Sequence, residues 1–378
     1  MKFRSTFLSA VALVGLAAVS AAAQQLVAAS AGASGAQGAG RVIAPNRQGR
    51  PDPGKVNSPN GGRPEIRTQA DMLRVSGYTA PGAKAYAAMA VDASAGMWPV
   101  TLHYRCRNVP GGSSINAPLP EPVEVFDGVY SIGDDANNVW ALDTPDGIIL
   151  IDALSNEADA KRIIVANMRK LKLDPARIRM ILITHNHGDH YGGAAYLKSI
   201  SGAKLAMSRE DWEGKITFGP PMPVKAADDF YLTDGQKVEF GGRTLTVVLT
   251  PGHTPGTVSL VFPVTEKGVP HVASLFGGQG SPKTVAALRQ FRVSLDHFAD
   301  VTDAMQADVV LSNHTVGDDG LTKVAQLLKR KPGQPNPYVV GREGVVRYSA
   351  LWSDCLSADI DQAVWNAAHG ITPPPANR

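Results

Sequence analysis

The stretch Thr184-His185-Asn186-His187-Gly188-Asp189-His190-Tyr191-Gly192-Gly193 decides how this chain is read. An apolar run from Ile178 to Ile183 leads into it and reads as a buried strand. His185, His187, Asp189 and His190 then share one short loop. A strand that stops and sends three imidazoles and a carboxylate into one turn is building a cation site. Nitrogen-rich donor sets with some carboxylate suit zinc, with iron or manganese as lesser options. A merely solvated polar loop would not need the two histidine motifs that follow.

The first of these, Thr250-Pro251-Gly252-His253-Thr254-Pro255-Gly256, closes the β-type run Thr244 to Leu249. The second, Asn313-His314, closes Val309 to Ser312. Upstream, Val123–Phe126, Val129–Ile132, Val139–Leu142 and Ile148–Ile151 are short β runs, with Asp127-Gly128 and Asp146-Gly147 supplying turns. They predict an antiparallel meander whose last strand ends at Asp152. Further strands are expected at Leu205–Met207, Val238–Phe240, Ser259–Pro263 and Val272–Phe276. Helices are expected at Asn156–Leu171, Gly192–Ile200, Ser294–Met305, Leu321–Lys331 and Gly344–Ala368. Candidate ligands at three separate strand ends imply an α+β architecture that delivers them to one rim. Two mixed sheets with helices outside would do so.

Together, Thr-His-x-His-x-Asp-His, Thr-Pro-Gly-His-Thr-Pro-Gly, a late histidine after an apolar strand, and Asp152 after Ile148–Ile151 resemble the metallo-β-lactamase superfamily, an αβ/βα sandwich of metal-dependent hydrolases. The resemblance spans roughly residues 122 to 330. It implies that His185, His187 and His253 hold one zinc ion and that Asp189, His190 and His314 hold a second. Asp152 would orient a ligand histidine rather than bind metal itself. Most members carry an acid between the last two histidine motifs, but Val272 to Ser281 contains none, nor a cysteine ligand. What remains is similar to the β-lactamase subclass with an all-His/Asp dizinc site. Thr315 stands where a proline is common, and the N-terminal extension is longer than usual.

By this resemblance, a zinc-activated water attacks a β-lactam carbonyl, Asp189 helps to orient it, and no Ser or Cys nucleophile is needed. A serine that contacts substrate in that subclass would be Ser274 or Ser281. Tyr191 and Trp212 are candidates for lining the cleft, with packing an equal alternative. Lys283 and Arg289 could meet a substrate carboxylate, against the simpler reading of solvated charges. His103, His271, His297 and His369 lie outside the motifs and read as surface or packing residues. The rival activities are hydrolysis of another ester, lactone or amide, and zinc binding without turnover.

Of the 378 residues, 44% are hydrophobic and 19% charged, and the net charge is +3, so nothing argues for nucleic acid as a partner. The expected partner is a small-molecule substrate. Residues 1–23 have the parts of a secretory signal: Lys2 and Arg4, an apolar run from Leu8 to Val19, and Ala21-Ala22-Ala23 before Gln24. That run is short for a membrane span, so no membrane attachment is expected after its removal, and the expected location is a bacterial periplasm. An oxidising compartment would permit a bridge between Cys106 and Cys355, the only cysteines. Residues 24–63 are rich in Ala, Gly, Ser and Pro and read as a disordered linker. Residues 64–121 form an N-terminal extension, and residues 122–378 the catalytic domain with a C-terminal helix. In the extension, Gln69–Val75 and Ala83–Val91 look weakly helical and Trp98–Tyr104 reads as a strand. Whether it caps the site or braces the fold stays open at this level.

Overall fold

A computed structural model describes Asn60, residues 64–106 and residues 119–372. The expected signal segment, nearly all of the linker and residues 107–118 lie outside the described residues. Three helices open the described chain: α1 (Gln69–Val75), α2 (Pro81–Ser94) and α3 (Pro99–Arg105). A seven-stranded sheet follows with order β1-β2-β3-β4-β5-β6-β7. Its strands are β1 (Val123–Phe126), β2 (Val129–Ser131), β3 (Trp140–Thr144), β4 (Gly147–Ile151), β5 (Ile178–Leu182), β6 (Lys204–Ser208) and β7 (Phe230–Leu232). The first four form the antiparallel meander, and β4 to β7 run parallel. Helix α4 (Ala194–Ser201) lies between β5 and β6 in sequence.

The second sheet has order β12-β11-β10-β9-β8. It comprises β8 (Lys237–Phe240), β9 (Arg243–Leu249), β10 (Val258–Glu266), β11 (Val269–Phe276) and β12 (Val309–Ser312), with β12 parallel to β11 and the other pairs antiparallel. Helices α5 (Val285–Ala304), α6 (Gly320–Leu328) and α7 (Gly341–Ala368) complete the chain.

Period-two alternation builds the layers. In β4, Ile149 and Ile151 enter the core between the sheets, while Ile148 and Leu150 enter a second core beneath the helices that follow. In β10, Leu260, Phe262 and Val264 face the first sheet, and Val261 faces outward. Val261, Val248 and Phe276 belong to a third core that also takes in Leu288 and Phe291 of α5, Trp352 and Cys355 of α7, and Met72, Ala83 and Leu102 of the extension. The extension is therefore part of the outer helical layer rather than a flap.

The expected strand at Trp98–Tyr104 is instead the helix Pro99–Arg105. Val100 and Leu102 alternate as in a strand, but Pro99 at the first helical position fixes a helical φ and loses no bond there. Trp98, in the left-handed region at φ 54°, turns the chain into it. Cys106 and Cys355 are joined, with their Cα atoms 4.7 Å apart.

Phe262 is 1% exposed at the middle of the intersheet core, whereas Val293 on α5 is 62% exposed. Phe262→Ala is expected to lower unfolding stability by about 3–5 kcal/mol, and Val293→Ala by less than about 0.5 kcal/mol. Urea denaturation followed by circular dichroism reads both.

Candidate metal centre

The ends of β5, β9 and β12 carry the candidate ligands. Side-chain donors of His185, His187 and His253 come together in one group, and those of Asp189, His190 and His314 in another; within each, the donor atoms lie within 4.8 Å of one another. Nothing else among the described residues gathers His, Cys, Asp or Glu in this way.

Asp152, just past β4, fixes much of the arrangement. Its backbone lies in the left-handed region at φ 68°, which costs an L-residue about 1–2 kcal/mol. Four donors converge on its buried carboxylate: the Thr184 N–H at 2.8 Å, the Thr184 hydroxyl at 3.0 Å, His190 Nδ1 at 2.7 Å and Asn313 Nδ2 at 3.3 Å. That fills the acceptor capacity of a carboxylate. With Nδ1 donating to Asp152, neutral His190 carries its lone pair on Nε2. The Thr184 hydroxyl, having donated its proton, accepts from His185 Nδ1 at 3.1 Å. The Gly280 carbonyl accepts from His253 Nδ1 at 2.7 Å. Each contact turns an Nε2 lone pair inward.

The consequence is a pair of close approaches. His185 Nε2 lies 3.1 Å from His253 Nε2, and His190 Nε2 lies 3.0 Å from His314 Nε2. In the first pair both contacts leave lone pairs facing each other, and these repel at that separation unless a cation lies between them. A proton does not fill this role in the first group, because burial and then the neighbouring imidazoles hold His185 and His253 well below the usual histidine range. Burial also brings His187 down to about 4. In the second group, Asp189 Oδ2 accepts from Asn137 Nδ2 at 2.7 Å and lies 3.5 Å from His190 Nε2. Asp189 Oδ1 is buried with no hydrogen-bond partner. A buried anionic oxygen without a donor is expensive. The donor chemistry and the orphaned oxygen fit metal ions in both groups.

The turn after β11 brings backbone close against this rim. A Cβ on Gly277 would lie 1.8 Å from the Val258 carbonyl, and one on Gly280 would lie 2.9 Å from the His253 ring. The backbone must approach that closely for the Gly280 carbonyl to reach His253, which leaves Gln279 as the only side chain of turn 277–280 able to be larger than hydrogen.

Other expected residues go elsewhere. Ser274 Oγ donates to the Val309 carbonyl at 2.8 Å, inside the pairing of β11 with β12, which takes it off the rim. Tyr191 is 1% exposed, belongs to the core under α4 and donates its hydroxyl to the Pro220 carbonyl, so its role is packing. Trp212 packs against that same core and donates to the Pro223 carbonyl. Ser281 hydrogen-bonds to Asp359 of α7. Lys283 and Arg289 are exposed. His271 pairs with Asp308 and His297 with Asp234, as expected of residues outside the motifs.

Asn137, Asn313 and Phe218 were not anticipated. Asn313 precedes His314, and a polar residue beside a ligand was a usable signal. Asn137 comes from a loop 52 residues before Asp189, and Phe218 from a loop after Trp212; no local pattern marks either. The Phe218 ring lies 4.8 Å from that of His187 and is 43% exposed, forming an apolar wall at the mouth.

Residues 132–266 match the family described as the metallo-β-lactamase superfamily. The chain carries a domain of that superfamily. Among solved structures, a subclass B3 metallo-β-lactamase of Bradyrhizobium japonicum is similar: it is 27% identical, with a TM-score of 0.54 over 67% of this chain and 96% of that one. A mutant metallo-β-lactamase from Legionella gormanii is 26% identical, with a TM-score of 0.54 over 63% and 95% of the two chains. Among curated proteins, a probable metallo-hydrolase of Burkholderia pseudomallei is 35% identical over 26% of this chain and 35% of its own length. A hydroxyacylglutathione hydrolase of Cereibacter sphaeroides is 36% identical over 23% and 30%. This chain thus spans about a third of the length of the curated relatives it matches.

Removing metal should leave the facing lone pairs and Asp189 Oδ1 uncompensated. Chelation is therefore expected to lower the melting temperature, and added zinc to restore it, as binding to the folded state requires. Asp152→Ala is expected to weaken zinc binding by about 10–100-fold, read by chelator competition.

Proposed function

We propose that this chain is an exported, zinc-dependent hydrolase that opens β-lactam rings. The observation that carries the metal part is the pair of Nε2–Nε2 approaches beside the unpartnered Asp189 oxygen. In this reading His185, His187 and His253 hold one ion, and Asp189, His190 and His314 hold the other. Two bound zinc ions would supply Lewis acidity toward a carbonyl oxygen and would bring the pKa of water to about 7. The chain's own residues do the rest. Asp152, Thr184 and Gly280 fix the imidazole tautomers. Asn137 holds Asp189 through Oδ2, the oxygen that faces His190 and His314. Phe218 offers apolar surface beside His187 for the body of a substrate.

A β-lactam substrate is supported by the neighbours named as subclass B3 metallo-β-lactamases, which this chain covers almost fully, and by the absence of an acid from Val269 to Ser281. Export is supported by the secretory pattern of residues 1–23 and fits the Cys106–Cys355 disulfide. A second reading, thioester hydrolysis, is favoured by the curated relatives named hydroxyacylglutathione hydrolase.

The zinc-loaded protein without residues 1–23 is expected to hydrolyse a chromogenic cephalosporin, to stop when metal is chelated, and to lose turnover in His187→Ala. Zinc uptake without cephalosporin turnover, but with hydrolysis of a glutathione thioester, would replace the first reading by the second. Full-rate turnover by His187→Ala would sink the ligand assignment.

A further inference from the structure

Helix α3 touches two of the loops that form the metal centre, one at each end. At its N-terminus no side chain of its own caps the free amides. Asp319, five residues beyond His314, takes that place: its Oδ1 accepts the Thr101 N–H and the Thr101 hydroxyl, both at 2.8 Å, and its Oδ2 accepts the Val100 N–H at 3.3 Å. At the other end, Arg105 donates Nη1 to the carbonyl of Gln279. The next residue, Gly280, supplies the carbonyl that orients His253.

Arg105 is unusual in its setting. It is 6% exposed and, among the described residues, meets no carboxylate within salt-bridge distance, and its Nη2 is buried without a hydrogen-bond partner. Its guanidinium lies 3.1 Å from the centroid of the Trp352 ring on α7. Burying an arginine in this way is costly, and stacking on an aromatic face offsets only part of the cost. The residue after it, Cys106, is bonded to Cys355, one turn along α7 from Trp352. Arg105 is therefore clamped between a covalent bond and a ring, with a single backbone carbonyl as its hydrogen-bond target. That carbonyl lies in a turn of Gly277, Gly278, Gln279 and Gly280, where three of four residues have no side chain to hold the backbone in place.

We propose that Arg105 is a positioning residue for the metal centre, held by the Cys106–Cys355 disulfide, and that α3 braces the turn 277–280, which orients His253, against the chain that follows His314. The inference rests on the metal-binding reading above and adds a role for residues 99–106 in metal affinity. Arg105 fixes the Gln279 carbonyl, which fixes the neighbouring Gly280 carbonyl and thus the direction of His253 Nε2. Asp319 ties the same helix to the chain that follows His314.

The test is zinc affinity, measured by competition with a chromogenic chelator on the full chain without residues 1–23. Arg105→Gln is expected to weaken zinc binding at least tenfold, the usual scale for removing an outer-shell partner, while circular dichroism stays native. Arg105→Lys, which keeps a donor, should recover part of the loss. The double variant Cys106→Ser/Cys355→Ser should also weaken binding. Gln362→Ala is the structural control: Gln362 accepts from the Thr79 and Ala80 amides at the start of α2 and touches neither loop. It should lower the melting temperature and leave zinc affinity unchanged. Should Arg105→Gln fail to fold, Asp319→Asn tests the other end of the brace with the same expected direction. Native-like Arg105→Gln with unchanged zinc affinity would overturn the proposal. So would Gln362→Ala weakening zinc as much as Arg105→Gln, since the effect would then be general loosening. A wild-type chain that binds no zinc would overturn the metal reading, and the brace with it; equal binding by wild type and variants would overturn the brace alone.

Discussion

Much of this structure depends on aiming imidazole lone pairs at shared points while keeping those of the first group uncharged. A neutral histidine has one donor nitrogen and one acceptor nitrogen, and whatever occupies the first decides the direction of the second. Here Asp152 serves His190, the Thr184 hydroxyl serves His185 and the Gly280 carbonyl serves His253. Burial supplies the other half by disfavouring the imidazolium of His185 and His253. Both conditions require dry, rigid surroundings, and two sheets packed face to face provide them.

The sandwich explains how ligands far apart in the chain meet. β4 and β5 are parallel neighbours, so Asp152 and Thr184 emerge side by side at their ends. Asn138 donates its N–H to the Asn313 carbonyl at 2.8 Å, which stitches the loop carrying Asn137 to the loop carrying His314. The left-handed backbone at Asp152 is tolerable because its carboxylate accepts four hydrogen bonds there. Strain of about 1–2 kcal/mol is small beside the cost of leaving four buried donors unpaired.

The extension changes the usual balance of such a domain. Its three helices share a core with α5 and α7, closing the outer face of the second sheet. On that face Phe276 packs against Phe291 and Phe298 of α5 and Trp352 of α7. Docking the extension there also brings α3 against the turn after β11, which orients His253, and against the chain that follows β12, so one contact surface serves both stability and the geometry of the site.

The sequence by itself determined the class of fold and which His and Asp side chains are candidates to gather at one rim. The reason is local: period-two apolar runs that stop at His-bearing turns declare both strands and ligands without any knowledge of partners. Asp152 was legible for the same cause, standing at the end of Ile148–Ile151. What only the tertiary structure decided was everything set by contacts across the chain. Asn137 approaches Asp189 from a loop with no motif of its own. Ser274 and Tyr191, close to the motifs in sequence, turn into the core because their neighbours on adjacent strands and loops offer carbonyls there. The run from Trp98 to Tyr104 alternates like a strand and becomes a helix because Pro99 starts it and Asp319, 218 residues from Thr101, caps it. The pairing of Cys106 with Cys355 spans 249 residues. Such distances leave no trace in local spacing, because the entropy of closing them is met by the assembled core and not by the residues themselves.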